Sequence, residues 1–181
     1  MYDDLKYVDD LLENGEYPKI HDDIFSLHEF VDATNVLDVG CCHGLLSHRL
    51  GTVYDNVVGI EPSEEYCENL VYKDNVTYYN FEINEDNMWM LSLILMKDKI
   101  DGVFCRRVIS EIYSTGGEDL VNSFVDCLVN CGVKYVALEG RIKFSNSTHP
   151  LDDYKKEMAF FLDDYELIGQ ENNAVALRLI E

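Results

Sequence analysis

Between positions 36 and 50 the chain runs Val36-Leu37-Asp38-Val39-Gly40-Cys41-Cys42-His43-Gly44-Leu45-Leu46-Ser47-His48-Arg49-Leu50. No other stretch constrains the fold as tightly. An apolar run carrying one acid ends at a glycine. A second glycine follows four residues later, and helical spacing then begins. This reads as a buried strand, a tight turn, and a helix whose N-terminus points back at the strand end. Glycine has no Cβ, so a ligand can lie against bare backbone in such a turn. The helix N-terminus adds free N–H groups and a partial positive charge. Glu61, seventeen residues past Gly44, closes the apolar run Val57-Val58-Gly59-Ile60. An acid at that strand end is placed to accept hydrogen bonds from ribose hydroxyls.

Asp38-Val39-Gly40-Cys41-Cys42-His43-Gly44, followed by Gly59-Ile60-Glu61-Pro62-Ser63, resembles the class I S-adenosylmethionine-dependent methyltransferases. The resemblance implies an α/β fold: a doubly wound, seven-stranded, mostly parallel sheet with a C-terminal antiparallel hairpin, the Rossmann-like methyltransferase fold. It implies S-adenosylmethionine as cofactor, lying across the ends of the first two strands. Gly40 and Gly44 would admit the cofactor to the backbone. Asp38 would support the turn and face the ammonium end, and Glu61 would hold the ribose. Glu82 and Ile83, after the third strand, would flank adenine, and Arg106 is placed on the cofactor side. One position departs from the pattern: Cys42 stands where the family usually has a middle glycine.

The remaining chain fits this layout. Residues 1–35 read as an N-terminal helical cap and 36–181 as the Rossmann-like domain. The cap holds one helix over 3–14 and another over 22–32, the latter with Ile24, Leu27, Phe30 and Val31 inward. Tyr17 and His21 read as part of a surface connector. Further strands are expected at Asn56–Ile60, Val76–Phe81, Asp101–Cys105 and Lys134–Leu138. Tyr165–Gln170 and Ala174–Ile180 alternate as strands joined through Asn172-Asn173, a dipeptide suited to a tight hairpin turn. Ser63 caps a helix carrying Glu64 and Glu65 in its first turn. Asp119–Cys131 is amphipathic, and residues 151–162 read as another helix. Around Asn87–Met96 a helix is expected with Trp89, Leu93 and Met96 in the core.

Three residues are substrate-side candidates. Arg107, or Arg106 beside it, after the fourth strand, could pair with a substrate carboxylate in a fork. Glu111, on the following short helix, could accept a proton or hold an amine. His149 is a candidate base in the polar segment that also holds Ser145, Ser147 and Thr148.

At 181 residues the chain is long enough for one domain with a real core. Its net charge of −21 is spread out, with ten acids among residues 1–35 alone. Such a field repels nucleic acid and disfavours nucleic-acid substrates. The run from Met88 to Met96 is too short to span a bilayer, and the N-terminus lacks a signal-peptide pattern, so a cytoplasmic protein is expected. Six cysteines without C-x-x-C spacing read as free thiols, and no metal site is expected. No Asp/Asn-Pro-Pro-aromatic motif and no Pro-Cys pair follows the fourth strand.

The reading is an S-adenosylmethionine-dependent methyltransferase, a transferase acting on an acceptor that the sequence does not name, with a small molecule as the default and a protein side chain or sugar next. A basic protein is the next partner considered, and the oligomeric state is left open. The alternative is an inactive methyltransferase-like domain, an acidic module that binds a protein or mimics nucleic acid. A nicotinamide-dependent oxidoreductase ranks last, because Gly40-x-x-x-Gly44 does not supply Gly-x-Gly-x-x-Gly.

Overall fold

Four apolar runs show no polar alternation, and each becomes an inner strand buried on both faces. They are β1 (Asn35–Val39), β2 (Asn56–Ile60), β4 (Gly102–Arg106) and β5 (Tyr135–Glu139). β3 (Val76–Tyr79) forms one edge. At the other side come β6 (Tyr165–Glu171) and β7 (Ala174–Leu179). The computed structural model describes residues 5–141 and 148–180, so Ser145 and Ser147 lie outside the described residues.

The strand order is β3-β2-β1-β4-β5-β7-β6. β1 to β5 pair in parallel, and β7 runs antiparallel to both β5 and β6. Asn172, at the hairpin turn, takes φ +50, the left-handed conformation that asparagine tolerates. The fold is therefore the doubly wound, mostly parallel sheet expected, with its terminal antiparallel hairpin. β1 sits between β2 and β4, so the chain reverses direction of winding at its carboxyl end. A crevice opens at such a switch point.

Helices cover both faces. On one lie α5 (Met88–Lys97), α6 (Ile109–Asn130) and α7 (Tyr154–Ala159). Leu91, Leu95, Phe124 and Leu128 pack there with Leu37, Val103 and Val136 of the sheet. α6 is kinked at Gly116-Gly117, where Gly117 takes φ +69. On the other face α2 (Asp22–Ser26) and α3 (Leu45–Leu50) bring Ile24, Leu46 and Leu50 against Val36, Val57 and Phe104. The segment read as one helix over 22–32 is instead α2 between two 3₁₀ turns, Lys19–His21 and Leu27–Glu29. Phe30 is not core but 41% exposed, its ring lying against the bare backbone of Gly169. α1 (Leu5–Asn14) and α4 (Glu64–Cys67) complete the helices. Ser63 Oγ accepts from Tyr66 N–H at the start of α4, as its position before two acids suggested.

One core assignment fails. Trp89, Leu93 and Met96 are exposed, while Leu91, Ile94 and Leu95 are buried. α5 is apolar on nearly every position, so its sequence carries no phase from which to read the inward face. Among the described residues, no helix is long and apolar enough to cross a membrane.

Candidate functional site

The turn after β1 is pinned to the end of β2. Gly40 N–H and Cys41 N–H both donate to Ile60 O, at 2.9 and 3.1 Å. Three residues of this turn sit in left-handed backbone: Gly40 at φ +71, Cys42 at +49 and Gly44 at +76. At Gly44 the need for glycine is also steric, since a Cβ there would lie 2.3 Å from the Tyr78 hydroxyl oxygen. Cys42 adopts left-handed backbone in spite of its side chain, at the position where the resemblance expects glycine.

Glu61 clasps this turn. Its Oε2 accepts from Cys42 N–H and its Oε1 from Ser63 N–H, both at 2.9 Å. The residue is 5% exposed. Each carboxylate oxygen has a second lone-pair site, so the backbone contacts leave acceptor capacity for a ligand hydroxyl.

Two lobes meet at Gly40. The first is apolar and is lined by Val39, Ile60, Phe81, Ile83, Val108 and Ile112. Glu82 and Glu111 stand at its wall. Ile83 is buried and Glu82 exposed, the latter accepting from Asn84 Nδ2. The second lobe is polar and is lined by His21, Asp38, Cys42, His43 and Arg106. Asp38 is 1% exposed and accepts from Ser47 Oγ at 2.6 Å. Burial pushes its carboxyl up to about 7, against the pull of Ser47. Arg106 Nε donates to Ile20 O at 3.1 Å and lies 3.2 Å from Glu139 Oε1. It thereby ties the N-terminal segment to the ends of β4 and β5.

His21 is drawn into this lobe rather than lying on a surface connector. Burial, with Arg106 and Arg49 nearby, lowers its pKa to about 3, so the ring is neutral. His21 Nδ1 and Glu139 Oε2 are buried with no hydrogen-bond partner among the described residues. An orphaned buried polar atom beside a cavity is a natural contact point for a ligand.

Of the substrate-side candidates, Glu111 lines the apolar lobe while Arg107 and His149 line neither lobe, and each is engaged by a different neighbour. Arg107 Nε lies 3.5 Å from buried Glu139 Oε1, on backbone at φ +58. Glu111 is ion-paired with Arg141. His149 Nδ1 accepts from Leu151 N–H at 3.0 Å, and Nε2 lies 3.0 Å from Ser114 Oγ. Ser114 Oγ donates onward to Ser110 O. With Nδ1 accepting, neutral His149 carries its hydrogen on Nε2 and presents a donor to Ser114. Glu157, not singled out from the sequence, is 1% exposed beneath Gly140, and its Oε1 accepts from Arg141 N–H. Burial raises its carboxyl to about 7. The six cysteines are free, and burial pushes the Cys41 and Cys105 thiols well up, as expected of inert core thiols.

No family model matches the chain, and no curated protein matches it by sequence. Solved structures do match its fold. N-methyltransferase NodS from Bradyrhizobium japonicum WM9, in complex with S-adenosyl-l-homocysteine, aligns with a TM-score of 0.62 at 13% identity, over 97% of this chain and 98% of that one. The bifunctional kinase-methyltransferase WbdD gives 0.62 at 18% identity, over 98% of this chain but 40% of its own. A chain of a fibrillarin/Nop5p complex gives 0.56 at 14% identity, over 81% of this chain and 71% of that one. The chain thus spans about two-fifths of WbdD and nearly all of NodS. Strand order, terminal hairpin and these alignments agree: the chain has the class I methyltransferase fold.

Proposed function

We propose that the chain is an S-adenosylmethionine-dependent methyltransferase acting on a small-molecule acceptor. The observation that carries this reading is the pairing of the two lobes across the Gly40 turn, with the buried Glu61 carboxylate beside it. The residues fit the cofactor's parts in order. Ile60, Phe81, Ile83 and Val108 offer an apolar slot for adenine, with Glu82 at its edge. Glu61 has acceptor sites left for ribose hydroxyls. The bare backbone of Gly40 admits the chain between the lobes, Gly44 keeps the turn clear of Tyr78, and Cys42 lines the far side. Asp38, Arg106 and His21 supply both charges and a neutral ring for an amino-acid end. The SAH complex of NodS, in the same fold, supports this choice of ligand.

When bound, S-adenosylmethionine supplies a methyl group on an already activated sulfonium. What the chain contributes is alignment and exclusion of water, which together lower such a barrier by on the order of 7–11 kcal/mol at best. Arg107 and Arg141, both part-exposed and both ion-paired, can trade a protein carboxylate for a substrate one. Glu111 stands in the wall of the apolar lobe and can take a proton from an acceptor there. His149 can do so only once its Nδ1, the ring nitrogen with the lone pair, is released from Leu151 N–H.

Calorimetry with S-adenosylhomocysteine tests the reading. Saturable binding of one molecule per chain is expected. Absence of binding would sink the enzymatic reading and leave the acidic, non-catalytic module.

A further inference from the structure

Trp89, Leu93 and Met96 follow one another at helical spacing on α5 and are 64, 52 and 61% exposed. Residues three and four apart share a helix face, so the three form one apolar strip. The opposite face, with Leu91, Ile94 and Leu95, is buried in the sheet's core. A surface helix ordinarily turns charge toward solvent. This one turns out the chain's single tryptophan. A strip of that kind on a folded chain marks a place where another molecule sits.

The charge around it selects the occupant. α6 lies alongside, with Cys127 Sγ 3.1 Å from Ser92 Oγ. Its outer ridge beside that contact carries Asp119, Ser123, Asp126 and Asn130, all exposed. Glu85 and Asp86, also exposed, precede the first turn of α5. The one lysine of the helix is turned away: Lys97 Nζ donates to Tyr79 Oη at 2.8 Å and rests near the Tyr79 ring. The strip is therefore apolar in the middle and acidic along its rim. A second copy of this chain would bring another acidic rim and another −21 charges against it. An anionic membrane meets the same repulsion. A helix with an apolar stripe flanked by lysine or arginine satisfies both the strip and the rim.

We propose that the outer face of α5, together with the α6 ridge, docks a basic amphipathic helix of a partner protein. The proposal does not depend on cofactor binding, so either can fail alone.

Trp89 reports on its own surroundings. The full chain is titrated with a synthetic amphipathic peptide bearing leucine along one stripe and lysine beside it, and tryptophan emission is followed. A saturable blue shift is expected, weakened about tenfold by Leu93→Glu and about tenfold by Asp119→Lys with Asp126→Lys. Circular dichroism checks that these exposed-site variants stay folded. The peptide with glutamate in place of lysine needs no variant and should bind about tenfold more weakly. Four results would each overturn the proposal. One is emission unmoved by the basic peptide, and a second is equal binding of the acidic one. A third is a blue shift and doubled mass on concentrating the chain alone, which would make a second copy the occupant. The last is the same shift from phosphatidylserine vesicles.

Discussion

Ser47 Oγ donates to Asp38 Oδ2 over 2.6 Å, and both side chains are buried. The bond favours the ionised acid, yet burial outweighs it and the Asp38 pKa rises to about 7. An unfolded aspartate titrates near about 3.9. Between those values the folded chain holds more protons than the unfolded one. Stability contributed by Asp38 is therefore fully present below about pH 4 and is lost as pH rises through about 7. Asp38→Asn keeps the shape and an acceptor for Ser47 but cannot ionise. The unfolding free energy from urea titration should fall further from pH 5 to pH 8 in the native chain than in the variant, by on the order of 2–4 kcal/mol. Glu157, also raised to about 7, contributes to the slope of both. The same variant should bind S-adenosylhomocysteine more weakly at pH 8, because the carboxylate facing the polar lobe is gone.

Glu61 binds two backbone donors with two separate oxygens. Glutamine offers one acceptor oxygen, and its amide nitrogen would meet a second N–H donor face to face. Glu61→Gln should therefore destabilise the fold by about 1–3 kcal/mol, measured by chemical denaturation. It should also weaken adenosine and S-adenosylhomocysteine alike, since both carry the ribose. Unchanged affinity for adenosine would take Glu61 out of the ligand site and leave it a clasp for the turn.

Cys42 stands at φ +49, and its N–H, not its side chain, makes the bond to Glu61. Cys42→Gly keeps that bond and removes a left-handed penalty of about 1–2 kcal/mol. Glycine's freer unfolded chain takes back about 0.4–1 kcal/mol. A small rise in thermal midpoint is expected, with cofactor affinity retained or improved. A fall in the midpoint would mean that the Cys42 side chain makes packing contacts worth more than the strain it carries.

The parts of this chain that were legible in sequence are those whose signal is local. The Gly40–Gly44 spacing, Glu61 at a strand end, Ser63 before two acids and Asn172-Asn173 between alternating runs each specify their own backbone. The resemblance carried by the Gly40–Gly44 turn and Glu61 implies the fold, and the apolar runs separated by helical stretches are consistent with it. Illegible parts depend on contacts between distant segments. That Gly44 must yield to Tyr78 requires the β2–β3 register, which sets Gly59 opposite Tyr78. Glu139 and Glu157 look like surface acids in sequence and become buried only when β5 and α7 meet. The inward face of α5 could not be read because its hydrophobicity does not vary around the helix.

His21 is the sharpest case, as a residue from the N-terminal segment whose place is set by Arg106, which holds the carbonyl of the preceding Ile20. Its Nδ1 is buried and unsatisfied, and its ring is neutral because the pKa is lowered to about 3. A neutral ring contributes equally across the ordinary pH range. His21→Phe preserves bulk and removes both nitrogens. Relief of the orphaned atom should leave stability unchanged or raised by about 1 kcal/mol. If His21 meets the amino-acid end of the ligand, affinity for S-adenosylhomocysteine should fall about tenfold, by roughly 1.4 kcal/mol. Affinity for 5′-methylthioadenosine, which lacks that end, should not move, and the ratio should stay flat from pH 5 to pH 8. Equal losses for both ligands would make His21 a wall of the fold rather than a contact, and no loss for either would remove it from the site.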